Sequence, residues 1–132
     1  MRKINEIIVH CSDTPSDMAV DAALIRKWHT EERGWGDIGY HYVILRDGTI
    51  EKGRHDVIVG AHARGHNQHS IGICLVGGMP RANFTMQQYS ALFQLVADIR
   101  NEHGPVGISG HYEYDEDKGC PMFDVKALLG LN

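Results

Sequence analysis

The run Ile71-Gly72-Ile73-Cys74-Leu75-Val76, closed by Gly77-Gly78, is apolar at nearly every position instead of at alternate ones. A strand with one wet face alternates, so a run of this kind predicts an interior strand covered on both faces by helices. Further segments supply that setting. Ile7 to His10 reads as a second short buried strand, stopped by the turn-rich Ser12-Asp13-Thr14-Pro15-Ser16-Asp17. Val20, Leu24 and Trp28, with Ala23 beside them, fall on one helical face that Gly34 is placed to end. Thr85 and Gln88 have the spacing of a capping box, and Tyr89, Leu92, Phe93, Val96 and Ile99 continue it at helical intervals. His41 to Arg46 and Thr49 to Lys52 are β-rich runs around Asp47-Gly48, which predicts a two-residue hairpin turn with both positions at positive φ. Val106 to His111 reads as a last strand, and Asp124 caps a short final helix reaching Leu129.

The hairpin must be antiparallel, whereas the long crossovers elsewhere favour parallel neighbours. The expected fold is therefore α/β, with a central mixed β-sheet of about five strands flanked by helices on both faces. A chain of 132 residues, 42% of them apolar, suffices for one such core and is short for two, so residues 1–132 are expected to form a single domain.

Charge and leader patterns narrow the function classes. The formal net charge is −4 and the basic residues are scattered, so no nucleic acid partner is expected. Ile7-Ile8-Val9, behind the basic Met1-Arg2-Lys3, is broken by His10 and is too short for a signal-peptide core. No stretch approaches transmembrane length, so membrane insertion is not expected and synthesis is expected in the cytosol. The three cysteines form no CxxC pair, which points to reduced thiols with separate tasks.

Nine histidines make the choice of site residues the central question. His10 closes the first strand and His111 the last, and ligands at strand ends of an open α/β sheet can converge on one crevice. Cys120 follows in an irregular polar segment. Two imidazoles and one thiolate suit Zn²⁺ and leave a fourth tetrahedral position open, the arrangement of a catalytic centre. Each residue also has a plainer reading, because a lone histidine at a strand end is more often a hydrogen-bonded structural group, and the spacing is not a local zinc signature. Cys74, inside the apolar run, reads as a small buried hydrophobe, and Cys11 is expected to point away from the side that His10 enters.

His10-Cys11-Ser12, Trp35-x-Asp37-Ile38-Gly39-Tyr40-His41, Arg46-Asp47-Gly48-Thr49, His62-Ala63-x-Gly65-x-Asn67-x-x-Ser70-Ile71-Gly72-Ile73 and Lys118-Gly119-Cys120-Pro121 occur in that order. Together they closely resemble the N-acetylmuramoyl-L-alanine amidases of the phage T7 lysozyme type, relatives of the peptidoglycan recognition proteins. The resemblance runs from Ile7 to about Leu129 and implies a mixed sheet flanked by helices. It implies His10, His111 and Cys120 as ligands of a Zn²⁺ cofactor, and Tyr40 and Lys118 as catalytic residues. One departure is the acid-rich segment Tyr112 to Asp117, slightly longer than in the phage enzyme.

Amide hydrolysis near neutral pH needs an activated water and a stabilised carbonyl oxygen, both of which zinc can supply. Tyr40 can hydrogen-bond the water or the developing oxyanion, although on its own it reads as a packed aromatic. Lys118, among Glu113, Asp115, Glu116 and Asp117, is favoured in its ammonium form, which suits an electrostatic role. His62 and Asn67 are expected to contact the sugar or stem peptide, His41 to be structural, and Arg64, His66 and His69 to face solvent. Trp35 is either a core plug or a wall of the sugar site.

The expected substrate is bacterial peptidoglycan or a muropeptide, cut between N-acetylmuramic acid and L-alanine. A non-catalytic peptidoglycan-binding module, a structural zinc protein and a cytosolic muropeptide-recycling amidase are the competing readings; the metal and catalytic residues occurring together favour an enzyme. With no wall-binding repeat after Leu129 and no export signal, the expectation is a monomeric endolysin of phage or prophage type, reaching the wall after a separate pore-forming protein breaches the membrane.

Overall fold

The computed structural model describes residues 2–81, 83–115, 119–121 and 123–129. In chain order these form β1 (Glu6–Cys11), β2 (Thr14–Pro15), α1 (Ala22–Lys27), β3 (Tyr42–Ile44), β4 (Ile50–Lys52), β5 (Ser70–Leu75), β6 (Gly78–Met79), α2 (Met86–His103), β7 (Gly107–Gly110) and α3 (Val125–Leu128). Five strands make one mixed sheet in the order β4-β3-β5-β1-β7, and β2 and β6 pair separately within segments whose sequence reads as turn. Only the β3–β4 hairpin of the main sheet is antiparallel. The all-buried β5 lies at its centre, as a run without alternation requires.

Alternation along the strands sorts their side chains onto two covered faces. Ile7, Val9, Cys11, Ile71, Ile73 and Leu75 pack with Leu92, Leu95, Val96 and Ile99 of α2. On the other face Val43, Cys74 and Val76 pack with Val20, Ala22, Ile25 and Ile38. His10 lies on this second face, in register with Cys74, while Ile8 is in register with Gly72.

Asp21 caps α1 by accepting a hydrogen bond from the Leu24 amide at 2.9 Å, so Val20 precedes the helix and does not share its phase. The buried stripe is accordingly Ala22, Ile25 and His29; Leu24 and Trp28 flank it and Ala23 is exposed. The helix continues as a wider π-helical turn over Trp28–Glu32. The capping box of α2 is present in both directions, Gln88 N to Thr85 Oγ1 and Thr85 N to Gln88 Oε1, each 3.0 Å. Leu95 is buried in this helix, whereas Phe93 faces outward at 46% exposure.

The hairpin turn differs from the two-residue form expected of Asp47-Gly48. Leu45 N donates to Thr49 O at 2.8 Å and Gly48 N to Leu45 O at 2.9 Å, enclosing three residues of which Gly48 alone has positive φ, +90°. Asp47 instead accepts from the Thr49 amide at 2.9 Å, a use of its carboxylate that the three-residue loop permits. No helix among the described residues is long and apolar enough to cross a membrane.

Candidate metal and catalytic site

Val9 of β1 is in register with Gly110 of β7, so the chain delivers His10 and His111 side by side at the C-terminal ends of two parallel strands. Their ring centroids are 4.4 Å apart. His10, Tyr40, His62, His111 and Cys120 all line one cavity of about 520 Å³. Such a crevice at parallel strand ends is where an open α/β sheet presents its chemistry. Lys118 lies outside the described residues.

His10 is 1% exposed, and burial together with the neighbouring His62 and His111 holds its pKa well below the usual histidine value. It is therefore a neutral imidazole at pH 7, the form that offers a lone pair to a cation. Its Nε2 lies 2.9 Å from Nδ1 of His62. His62 is likewise neutral, its pKa lowered to about 3 by burial first, and then by the unfavourable approach of a charged ring to His41, His111 and the Arg2 and Arg54 guanidinium groups.

Hydrogen-bond capacity then assigns the tautomers. The single hydroxyl proton of Ser70 serves the His66 carbonyl at 2.6 Å, so Ser70 Oγ accepts from Nε2–H of His62 at 3.2 Å. His62 consequently accepts at Nδ1, His10 donates from Nε2, and the lone pair of His10 is left on Nδ1. The His62 ring can take this place only because Gly72 has no side chain; a Cβ there would stand 2.6 Å from His62 Cγ. His41, fully buried beneath, accepts from the Gly72 amide at 3.0 Å and is structural.

Asn67 does not line the cavity. Its Oδ1 accepts from the amides of His62 and Ala63, both at 2.9 Å, so its side chain braces the loop that carries His62, in place of the substrate contact expected from the sequence. Arg64 is exposed as expected, but His66 and His69 are half-buried.

Cys120 Sγ accepts from the Cys11 amide at 2.6 Å and lies 2.7 Å from Cys11 Sγ. Cys11 packs on the α2 face, as alternation requires, yet its backbone and sulfur reach Cys120 at the strand end. The Cys11 thiol and burial push the Cys120 pKa up, so a metal must displace its proton. The donors match zinc in kind: two imidazoles, of which His10 is held neutral, and a thiol supplied with an N–H donor. With Cys120 turned to Cys11, the three ligand atoms are not gathered within 4.8 Å of one another.

The Tyr40 ring is tilted against His10, with centroids 5.2 Å apart. Burial raises its pKa well above 10, and the residue packs against the cluster on the second face that contains Cys74, Val43 and Ile38. His29 also lines the cavity, a residue absent from the expected site. Its Nδ1 accepts from the Gly39 amide at 2.9 Å, and burial with Arg33 and Arg54 lowers its pKa to about 4. Trp35 packs edge-on against His29 and forms part of the cavity wall. The available signal for His29 was its position four residues after Ile25.

Adjoining imidazoles, a thiol and a phenol around one cavity are equipped for amide hydrolysis, and comparison with known proteins agrees. The profile of the N-acetylmuramoyl-L-alanine amidase family matches residues 1–123. The chain belongs to this family. The amidase is 43% identical over 130 residues to the endolysin of Enterobacteria phage K11, covering 95% of this chain and 85% of that one. Over 125 residues it is 44% identical to the endolysin of Escherichia phage T7, covering 91% and 82%. N-acetylmuramoyl-L-alanine amidase LysC from Clostridium intestinale URNW has the same fold, with a TM-score of 0.87 at 29% identity over 99% of this chain and 88% of that structure. The amidase is thus an enzyme of the T7 endolysin type, acting on peptidoglycan.

Proposed function

We propose that the protein cleaves the amide between N-acetylmuramic acid and L-alanine with a Zn²⁺ ion held by His10, His111 and Cys120. The observation that carries this reading is the pairing of the buried His10 with the half-buried His111 on one cavity with Cys120. When bound, the ion supplies Lewis acidity and brings the pKa of water to about 7. His62 orients His10 and keeps its Nδ1 lone pair available. Tyr40 lies against His10 on the cavity, and its hydroxyl donates to the substrate carbonyl oxygen as charge develops there. Lys118, by family resemblance, adds an ammonium beside that oxygen. His29 and Trp35 form the wall along which sugar or stem peptide lies. Acting as an endolysin, the protein works as a monomer on the wall after a separate pore-forming protein has opened the membrane.

Digestion of peptidoglycan, with and without chelator, tests the reading. Mass spectrometry should find stem peptides with free N-terminal L-alanine and uncut glycan, and chelation should abolish their release reversibly. New reducing sugar ends would contradict it. Elemental analysis should find zinc in the parent and far less in Cys120→Ser; equal contents would remove the ligand assignment.

A further inference from the structure

Glu6, His66 and His69 bring a carboxylate oxygen and two imidazole nitrogens within 4.8 Å of one another. They lie at the opposite end of β1 from His10, and none of them lines the cavity. Local geometry explains the meeting. Asn67–His69 is a 3₁₀ turn preceded by His66, and side chains three apart eclipse in such a turn. Glu6 is in register with Ser70, the residue after His69, which brings its strand to the same edge.

Two of the three donors are also held from behind. Glu6 Oε2 accepts from Ser109 Oγ at 2.9 Å and from the Tyr114 hydroxyl. The Tyr114 ring in turn stacks on His66, with centroids 3.9 Å apart and planes at 22°. A hydroxyl-bonded carboxylate keeps its other oxygen for a cation, and partners of this kind orient ligands in metal sites. Two imidazoles and a carboxylate suit Zn²⁺, Co²⁺ or Ni²⁺ and leave positions for water. Small side-chain rotations bring donors so placed to the separation of about 3–3.4 Å that metal–ligand distances near 2.1 Å demand. The geometry points to a second divalent-metal site at Glu6, His66 and His69, separate from the His10, His111 and Cys120 centre.

Asp56, Glu102 and His103 also gather, but there the Lys52 ammonium and the Tyr42 hydroxyl already hold Asp56. An ion at Glu6, His66 and His69 would pin the 62–69 loop to β1. That loop reaches the cavity through Ser70 Oγ, which joins the His66 carbonyl to His62. Metal binding should therefore raise the thermal midpoint.

Tag-free protein as purified should be titrated with Zn²⁺ by calorimetry and its bound metal counted after equilibrium dialysis. The parent should take up one more equivalent than His66→Ala or His69→Ala, and Cys120→Ser should keep that equivalent. Tyr114→Phe, which retains the ring and removes the bond to Glu6, should bind about tenfold more weakly. The Co²⁺ form of this site should lack a thiolate-to-metal charge-transfer band, and the metal-induced rise in midpoint should vanish in His69→Ala. Absence of the extra equivalent in the parent, or its persistence in His69→Ala at unchanged affinity, overturns the proposal.

Discussion

Nε2 of His10 and Nδ1 of His62 lie 2.9 Å apart on the lining of the cavity, and this contact determines which nitrogen of His10 remains free. The relationship depends on a third residue with no side chain, Gly72. Two backbone-level devices hold His62 there: Asn67 accepts from its amide, and β5 leaves room for its ring.

Gly72→Ala should damage the site without deleting any functional group. The added Cβ would be 2.6 Å from His62 Cγ, and the Gly72 amide is tied to His41, so the ring must move. Overpacking of this kind should cost about 1–3 kcal/mol in urea denaturation. Displacement of His62 should lower kcat by about 10²-fold. In a His62→Ala background the same glycine substitution should add little; an undiminished further loss would show that Gly72 acts on something other than His62.

The elements legible in the sequence were those whose local chemistry suffices. The Ile71 to Val76 run specified a central strand because its burial is two-sided, and Thr85 with Gln88 specified a helix start because both caps are local. The placement of Cys74 beside the site was hidden because it depends on the β1–β5 register that pairs it with His10 and on the packing of Tyr40 against the same cluster. His29 was obscured because Val20 set an apparent helical phase although Asp21 starts the helix after it. Asn67 belonged to a recognisable motif, but motif membership does not distinguish a contact with substrate from the two amides it accepts.

Acid should destabilise the fold above the range in which carboxylates titrate. His29 and His41 each titrate at about 4 in the folded protein, against 6.5 ordinarily, chiefly because both are buried. As pH falls below about 6.5 the unfolded chain binds protons that the folded one refuses, so stability is full above that value and is lost progressively toward pH 4. The urea midpoint should therefore fall already between pH 6.5 and 5, and His29→Gln, which keeps an acceptor without a titrating ring, should show a shallower decline. A level midpoint across that interval would refute the assignment.

Gln88→Leu should destabilise the protein more than its conserved volume suggests. Gln88 Nε2 donates to the carbonyls of Val76 at 2.8 Å and Ile44 at 3.1 Å, and its Oε1 accepts from Thr85 N. Leucine would leave the Val76 carbonyl and the Thr85 amide without these partners, a loss of about 2–3 kcal/mol for buried groups. Thr85→Ala, which removes the reciprocal cap, should cost about 1 kcal/mol. Denaturation midpoints that rank the two variants in the reverse order would place the main work in the cap instead of the buried carboxamide.

Tyr40→Phe separates two tasks that one hydroxyl could perform. The ring leans on His10 and both residues line the cavity, so phenylalanine preserves packing and should leave zinc content unchanged. If the hydroxyl donates to the developing oxyanion, its loss should lower kcat by about 10²-fold or more with little change in substrate affinity, the scale of a missing oxyanion donor. Cys74→Ala trims the core cluster against which Tyr40 packs and leaves its hydroxyl in place, so its effect on kcat should be much smaller. If instead the hydroxyl serves to anchor Tyr40 to β5, the two variants should lose activity equally and both should unfold at lower urea. Lys118→Ala gives the parallel measurement for the ammonium: a loss in kcat comparable to that of Tyr40→Phe, with metal retained, is expected. A double variant should fall short of the product of the two single losses, because both groups would act on the same oxygen.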